Sequence, residues 1–365
     1  MNNRNNATIK DVAEQANVST ATVGRVLNGR GYVSEEARER VETAISQLGY
    51  RKNVLAMGLR KQHTQTIGHL LTSIALNPFF SGVSLGVERQ AMEYGYSVLI
   101  YNVQGDATQE QRGVETFIER RVDGIVVASG RATRRLGRRL AELPIPVVLV
   151  NADVRWPGVA VIGTTQRTGA RLAAEHLLGL GHRRLAFVGA PAGHAAGGPR
   201  RAGVLDALRA AGLGADALEI VPGDGRVEGG AASVERLLEG RARPTGIVAY
   251  NDLAAIGILR GLRSVGLRVP ADASVVGFDD IEPASWTEPP LTTIRQPTTE
   301  MGRWAVERIA GALRGAASDD RVALEPELIV RGSTGPPPGP PPGSKPRAGS
   351  RSPARSAPRR TCRAS

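Results

Sequence analysis

Only one cysteine, Cys362, occurs in the 365 residues, so no disulfide can close within the chain and the stapled class of small secreted domains is excluded. A reducing, cytoplasmic setting is expected. No apolar run approaches the ~18 residues of a membrane span, so membrane insertion is not expected. The opening Met-Asn-Asn-Arg-Asn-Asn lacks the apolar segment of a signal peptide, which argues against export. The histidines His63, His69, His176, His182 and His194 show no metal-ligand pairing. No Gly-x-Ser-x-Gly, phosphate loop or paired catalytic carboxylates appear, and Gly223-Asp-Gly-Arg-Val-Glu-Gly falls short of a dinucleotide loop. The chain is therefore expected to use no cofactor and no metal, and to be no enzyme.

Aromatic residues are scarce at 4%, apolar content is ordinary, and the net charge is +12. That charge is unevenly placed. Residues 1–60 carry nine Lys/Arg and six acids, whereas residues 335–365 carry seven basic residues and no acid. The front is thus +3, the end +7, and the long middle only +2. A modest basic excess at the front suits a polyanion, with recognition resting on geometry more than on bulk charge. The end holds nine Pro and four Gly in 31 residues, a composition that builds no core, and reads as a disordered basic tail.

The first fifty residues read as three short helices. Thr8 is placed to cap Ile9–Ala16, whose Ile9, Val12, Ala13 and Ala16 form one apolar stripe. Asn17-Val18 makes a turn, and Ser19 caps a second helix with Val23, Val26 and Leu27 on its buried face. Thr20, Ala21, Gly24 and Arg25 lie on the other face, short side chains beside one Arg that could reach a base edge or a phosphate. Two short helices joined by about three residues form a helix-turn-helix, whose second helix enters the major groove. Ser34 opens a third helix to Leu48, which Gly49 ends. Residues 51–66 then read as a linker in which Asn53–Arg60 can make two helical turns. Gly58 weakens that helix by roughly 1 kcal/mol, so it should form only against a partner.

From Thr66 strands alternate with amphipathic helices. Strands are expected at 67–71, 97–101, 124–128, 147–150, then at 159–162, 185–188, 219–221, 247–250, 274–277 and 327–330. Helices are expected near 82–94, 109–120, 133–143, 167–180, 200–211, 231–239, 252–265 and 298–314. Such alternation means parallel sheets, and two series suggest two doubly wound lobes. The fold class expected is an all-α helix-turn-helix head followed by an α/β core of two such lobes. Ligands of these sheets sit beyond the strands' carboxyl ends. The residues there include Thr72, Ser73, Asn77, Asn151, Thr164, Thr165, Arg200, Asn251, Asp252, Asp279 and Asp280. This polar set suits the hydroxyls and ring oxygen of a sugar-like molecule, with Phe79, Phe80 and Trp286 as nearby aromatics. Each residue also has a plainer role: Asn251 and Asp252 as helix caps, Asp279 and Asp280 as turn formers, Arg200 as a surface residue, Leu59 as packing.

Thr8-Ile-Lys-Asp-Val-Ala-Glu, the Val18–Asn28 helix, Tyr32-Val-Ser-Glu-Glu and Leu48-Gly-Tyr-Arg-Lys-Asn-Val-Leu-Ala-Met-Gly-Leu-Arg60 occur in order. This arrangement resembles the LacI/GalR (lactose repressor) family of bacterial transcription regulators. Asn77-Pro-Phe-Phe, Arg121-Val-Asp-Gly-Ile, Asn251-Asp-Leu-Ala-Ala-Ile-Gly, Val275-Val-Gly-Phe-Asp-Asp and Pro289-Pro-Leu-Thr-Thr-Ile-Arg-Gln-Pro extend the resemblance to about Thr334. It implies a core like that of periplasmic sugar-binding proteins, over 67–334. It implies that Thr20, Ala21 and Arg25 read bases, that Ser19, Thr22 and Asn28 hold phosphates, with Thr8 and Asn53 beside them, and that Leu59 wedges into the minor groove. Arg200, Asn251 and Asp279 match the main effector-contacting positions, with Thr72, Asn77, Phe79 and Asn151 as further candidates. The chain departs from the family's common residues at Gly24, Lys52, Met57-Gly58, Asn151 and Thr165-Gln166.

The function expected is a sequence-specific DNA-binding regulator, a repressor whose operator affinity is set by a small sugar-like effector bound between two lobes. The partners expected are a pseudo-palindromic double-stranded operator and a second copy, as homodimer or tetramer, with no membrane. Corepressor-dependent or activating regulation is the alternative within the family. A sugar carrier is the alternative outside it, though a carrier needs no DNA-binding head.

Overall fold

The computed structural model describes residues 7–29, 31–50, 63–72, 77–104, 106–128, 134–152, 156–190, 194–239, 243–316 and 320–339. Helices α1 (Ile9–Gln15), α2 (Thr20–Asn28) and α3 (Glu35–Leu48) form the head. Each begins where a side-chain oxygen takes up an orphan backbone N–H. Asp11 N donates to Thr8 Oγ1 (3.4 Å) while the Asp11 carboxylate accepts from Thr8 N (2.7 Å), a reciprocal capping box. Thr22 N donates to Ser19 Oγ (3.1 Å), and Ala37 N to Ser34 Oγ (3.4 Å). Gly29 and Gly49 end α2 and α3 with φ near 60°, the left-handed conformation that a Cβ disfavours. Val12, Ala13, Ala16, Val23, Val41 and Ala44 form the small core of the head.

The chain divides into two compact units, the head falling within the first. One takes in Met1–Gln166, Gly193–Gly198 and Gln296–Pro326; the other takes in Arg167–Ala192, Pro199–Arg295 and Glu327–Ser365. The first unit continues with β1 (Thr66–Leu71), α4 (Phe79–Glu93), β2 (Ser97–Asn102), α5 (Ala107–Glu119), β3 (Gly124–Ala128), α6 (Arg134–Ala141), β4 (Val147–Val150) and β5 (Val159–Thr164). The second is built from α7 (Gln166–Gly179), β6 (Leu185–Val188), α8 (Gly197–Ala210), β7 (Leu218–Val221), α9 (Val227–Glu239), β8 (Gly246–Ala249), α10 (Asp252–Ser264), β9 (Ser274–Val276) and β10 (Thr293–Arg295). The chain then returns to the first unit for α11 (Thr298–Leu313) and β11 (Arg321–Leu324), and ends its described elements with β12 (Glu327–Ile329) in the second.

The first unit holds a parallel six-stranded sheet in the order β11-β5-β4-β3-β1-β2. Ile67 and Leu71 face α4 and α11, and Leu70 faces α5, so one strand feeds two cores. The second unit holds a parallel four-stranded sheet, β7-β6-β8-β9, and an antiparallel pair, β10-β12. Its cores lie under α9 and α10 on one face, and under α7 and α8 on the other. Strands buried on both faces are near-continuous apolar runs, which is why the sequence reveals them. The sequence misses β10 and β11. Arg321–Leu324 alternates exposed and half-buried residues at a sheet edge, and β10 is three residues long, so neither forms an apolar run.

Glycines set the helix spacing. A Cβ on Gly86 of α4 would run into the Thr299 carbonyl, and one on Gly302 of α11 into that of Val83. Gly230 of α9 and Gly257 of α10 meet Ala254 and Val227 carbonyls in the same way.

The core of the first unit buries an imidazole. His69, in the middle of β1, is fully buried, and among the described residues neither ring nitrogen has a hydrogen-bond partner. Burial holds its pKa down to about 4. The folded state therefore binds this proton more weakly than the unfolded chain, whose His titrates near 6.5. Stability from the neutral ring is complete above pH 6.5 and is lost as pH falls towards 4, by about 3 kcal/mol in all. His69→Leu is expected to abolish that part of the acid sensitivity, read as urea midpoints that separate from wild type between pH 6.5 and 4.

Candidate functional site

On the head, α2 presents a nearly bare outer face. Ser19, Thr20, Ala21 and Arg25 are exposed, and Thr22 is half-buried with Oγ1 2.9 Å from Ser19 Oγ. A Cβ on Gly24 would meet only open space. Thr8 is exposed beside them, its hydroxyl engaged in the capping box. The positive dipole end of α2 suits a phosphate, and the flat face suits a groove floor. The side chains of Asn28, Asn53 and Leu59 lie outside the described residues.

In the second unit three of the sequence-derived positions come together. Arg200, near the start of α8, is 4% exposed. Its guanidinium lies 3.6 Å from the Phe278 ring centroid and 4.7 Å from that of Tyr250, donates to the Tyr250 carbonyl, and stands 3.7 Å from Asp279 Oδ1. Asn251 caps α10, accepting from Ala254 N (2.9 Å), and its amide donates to the Gly225 carbonyl (3.0 Å). Asp279 and Asp280 follow Phe278 with φ of 125° and 56°, backbone states costing roughly 1–3 kcal/mol each for a residue with a Cβ. Asp280 is held by Arg295 (2.7 Å) and Arg331 (2.6 Å). Tyr250 stays neutral, its pKa pushed up to about 12 by burial.

The role expected of Asp252 needs correction. It does not cap α10. Its fully buried carboxylate accepts from Ile281 N (2.9 Å) and from the Thr293 hydroxyl. Burial, then the neighbouring Asp279 charge, raise its pKa to about 7.

In the first unit the polar residues converge on one that sequence reasoning missed. Gln296, just past β10, receives three donors on its side-chain oxygen: Thr164 Oγ1 (2.8 Å), Asn151 Nδ2 (3.1 Å) and Gln166 Nε2 (3.1 Å). Asn151, with φ of 53°, also accepts from Thr164 N (3.0 Å). Gln296 sits inside the Arg-Gln-Pro motif, but β10 before it is only three residues long and was not legible, so no strand-end signal marked Gln296. The Thr72 hydroxyl just past β1 is buried and has no hydrogen-bond partner among the described residues. Asn77 Oδ1 accepts from Phe79 N (3.0 Å), and Phe79 is 7% exposed, its ring packed in the core edge-on to Phe80. Trp286, the third aromatic, is exposed. Among the described residues no cluster of His, Cys, Asp or Glu suits a metal, and no helix is long and apolar enough to cross a membrane.

Comparison with known proteins decides what carries these features. Residues 8–53 match the model of bacterial regulatory proteins of the lacI family, and residues 174–334 match a periplasmic binding protein-like domain. The ribose operon repressor of Escherichia coli K12 is 36% identical over 329 residues, covering 90% of this chain and 99% of the relative. The chain belongs to the lacI family of bacterial regulators. The PurR transcriptional repressor of Aliivibrio salmonicida is 33% identical over 90% of this chain and 98% of its own length. Among solved structures, the Lac repressor bound to ONPG in the repressed state has a TM-score of 0.80 at 31% identity, covering 90% of this chain and 99% of that one. The chain is thus a helix-turn-helix transcription regulator with an effector-binding α/β core. The fold class read from the sequence is the observed one.

The setting of Arg200 yields a stability prediction. Desolvated cation–π contacts contribute about 2 kcal/mol or more. Arg200→Lys keeps the charge but loses the flat stacking on Phe278, and is expected to lower the unfolding free energy by about 1–3 kcal/mol in a urea titration.

Proposed function

We propose that this regulator represses transcription in the cytoplasm as a homodimer on a pseudo-palindromic operator, and that a ribose-type sugar releases it. The observation that carries the effector reading is the buried Arg200 guanidinium beside the Asp279 carboxylate. A donor fork next to an acceptor suits the adjacent hydroxyls of a sugar, each of which donates and accepts at once. Asn251 is the further polar contact in the second unit; in the first unit the candidates are Thr72 and Asn151, with Asn77 and Phe79 at the start of α4 a few residues after Thr72. The ribose operon repressors among the relatives support a pentose, as does a LacI family regulator from Enterococcus faecium solved with bound ribose, 27% identical with a TM-score of 0.68. A disaccharide is the second reading, favoured by the CelR–cellobiose complex at 32% identity and a TM-score of 0.69.

On the DNA side, Thr20, Ala21 and Arg25 read bases, Thr8, Ser19, Thr22, Asn28 and Asn53 hold phosphates, and Leu59 enters the minor groove. A two-fold dimer demands a two-fold site. The Lac repressor dimer bound to its operator, 29% identical with a TM-score of 0.79, supports that geometry.

Melting of the purified protein with ribose, cellobiose and nucleosides tests the effector. Ribose at a hundred times its Kd adds about 2.7 kcal/mol and raises the melting temperature; stabilisation by cellobiose alone would transfer the assignment to a disaccharide. Gel shifts on an operator selected from random duplexes test the sign, since ribose is expected to weaken binding and a corepressor would strengthen it. Arg25→Ala is expected to lose about 1–3 kcal/mol of discrimination at the base it contacts. Unchanged sequence preference would refute its role.

A further inference from the structure

We propose that Asp252 is the positioning residue of the effector site: its main chain and carboxylate together pin both ends of the strained turn that presents Asp279. Three bonds define the arrangement. Asp252 N donates to the Phe278 carbonyl (2.8 Å), just before the turn. Its Oδ2 accepts from Ile281 N (2.9 Å), just after it. Its Oδ1 accepts from the Thr293 hydroxyl of β10, the strand whose Ile294 carbonyl receives Asp279 N (2.7 Å).

The turn needs such a holder. Asp279 and Asp280 are consecutive residues with positive φ, and neither is glycine. Strained backbone of this kind persists only where surrounding bonds over-determine it. Gly277 shows how closely the holder sits, because a Cβ there would strike Asp252 Oδ1. Both carboxylates of the turn are paired, Asp279 with Arg200, and Asp280 with Arg295 and Arg331, while Asp252 meets it through hydrogen bonds. Asp252 therefore acts through Asp279 and touches no ligand itself.

The inference rests on the reading of Asp279 as an effector contact, and the test separates the two. Asp252→Asn can keep both side-chain bonds, with its oxygen accepting from Ile281 N and its amide donating to the Thr293 hydroxyl. Asp252→Ala loses both. Hydrogen–deuterium exchange over residues 277–282 needs no ligand. It is expected to be at least tenfold faster in Asp252→Ala and within twofold of wild type in Asp252→Asn. Calorimetry with ribose should give a Kd raised at least tenfold in the Ala variant only, with operator binding retained in both. If the Ala variant does not fold, Thr293→Val decides by the same exchange, where several-fold acceleration supports the assignment and none overturns it. Equal behaviour of a folded Ala variant and wild type, or of the Ala and Asn variants, also overturns it. If wild type ignores ribose, the effector reading falls and the exchange measurement alone judges Asp252.

Discussion

The Arg200 guanidinium, removed from water, places the strictest demand on the second unit. Desolvating an ion is costly unless other groups replace its hydration. The second unit supplies those groups to Arg200 from two strand ends: the Phe278 ring, the Tyr250 ring and carbonyl, and the Asp279 carboxylate. Tyr250 follows β8 and Phe278 follows β9, so the parallel sheet delivers both at its carboxyl edge. The arrangement explains why α8 carries a cation near its N-terminus, where the helix dipole disfavours one. The proposed effector chemistry and local stability consequently draw on the same set of contacts.

The first unit solves a related problem without charge. Asn151, Thr164 and Gln166 all donate to the single side-chain oxygen of Gln296. A carbonyl oxygen with three donors is well fixed, and the donors are fixed by it. The head is held together differently from the two α/β cores. It relies on caps, with Thr8, Ser19 and Ser34 each starting a helix, and on a core of six small or β-branched residues. A domain so slight leaves the outer face of α2 free of any packing duty, which is what a groove-reading surface requires.

The sequence made the head legible almost residue by residue, because caps and glycine stops are local signals. The buried parallel strands were legible for the same reason that they are buried: Gly124–Ala128 and Val147–Val150 are unbroken apolar runs. Edge and short strands were not, since β11 is polar on one side and β10 owes its pairing to partners distant in sequence. In the candidate site, Arg200, Asn251 and Asp279 were legible from their places at strand ends. The aromatic seat of Arg200 and the convergence on Gln296 were not, because they depend on which loops meet in space. Asp252 was misread for a related reason. Next to a good cap such as Asn251 it looks like a second one, and only the returning chain at Ile281 and Thr293 gives it another duty.

The glycines between α4 and α11, and between α9 and α10, leave main chain against main chain with no side-chain volume to trade. Packed interiors tolerate change by swapping bulk among neighbours, and at these seams there is none to swap. A genetic screen for clones that no longer regulate would therefore collect lesions at Gly86, Gly230, Gly257 and Gly302. Those lesions would map far from any recognition surface and report only on the scaffold.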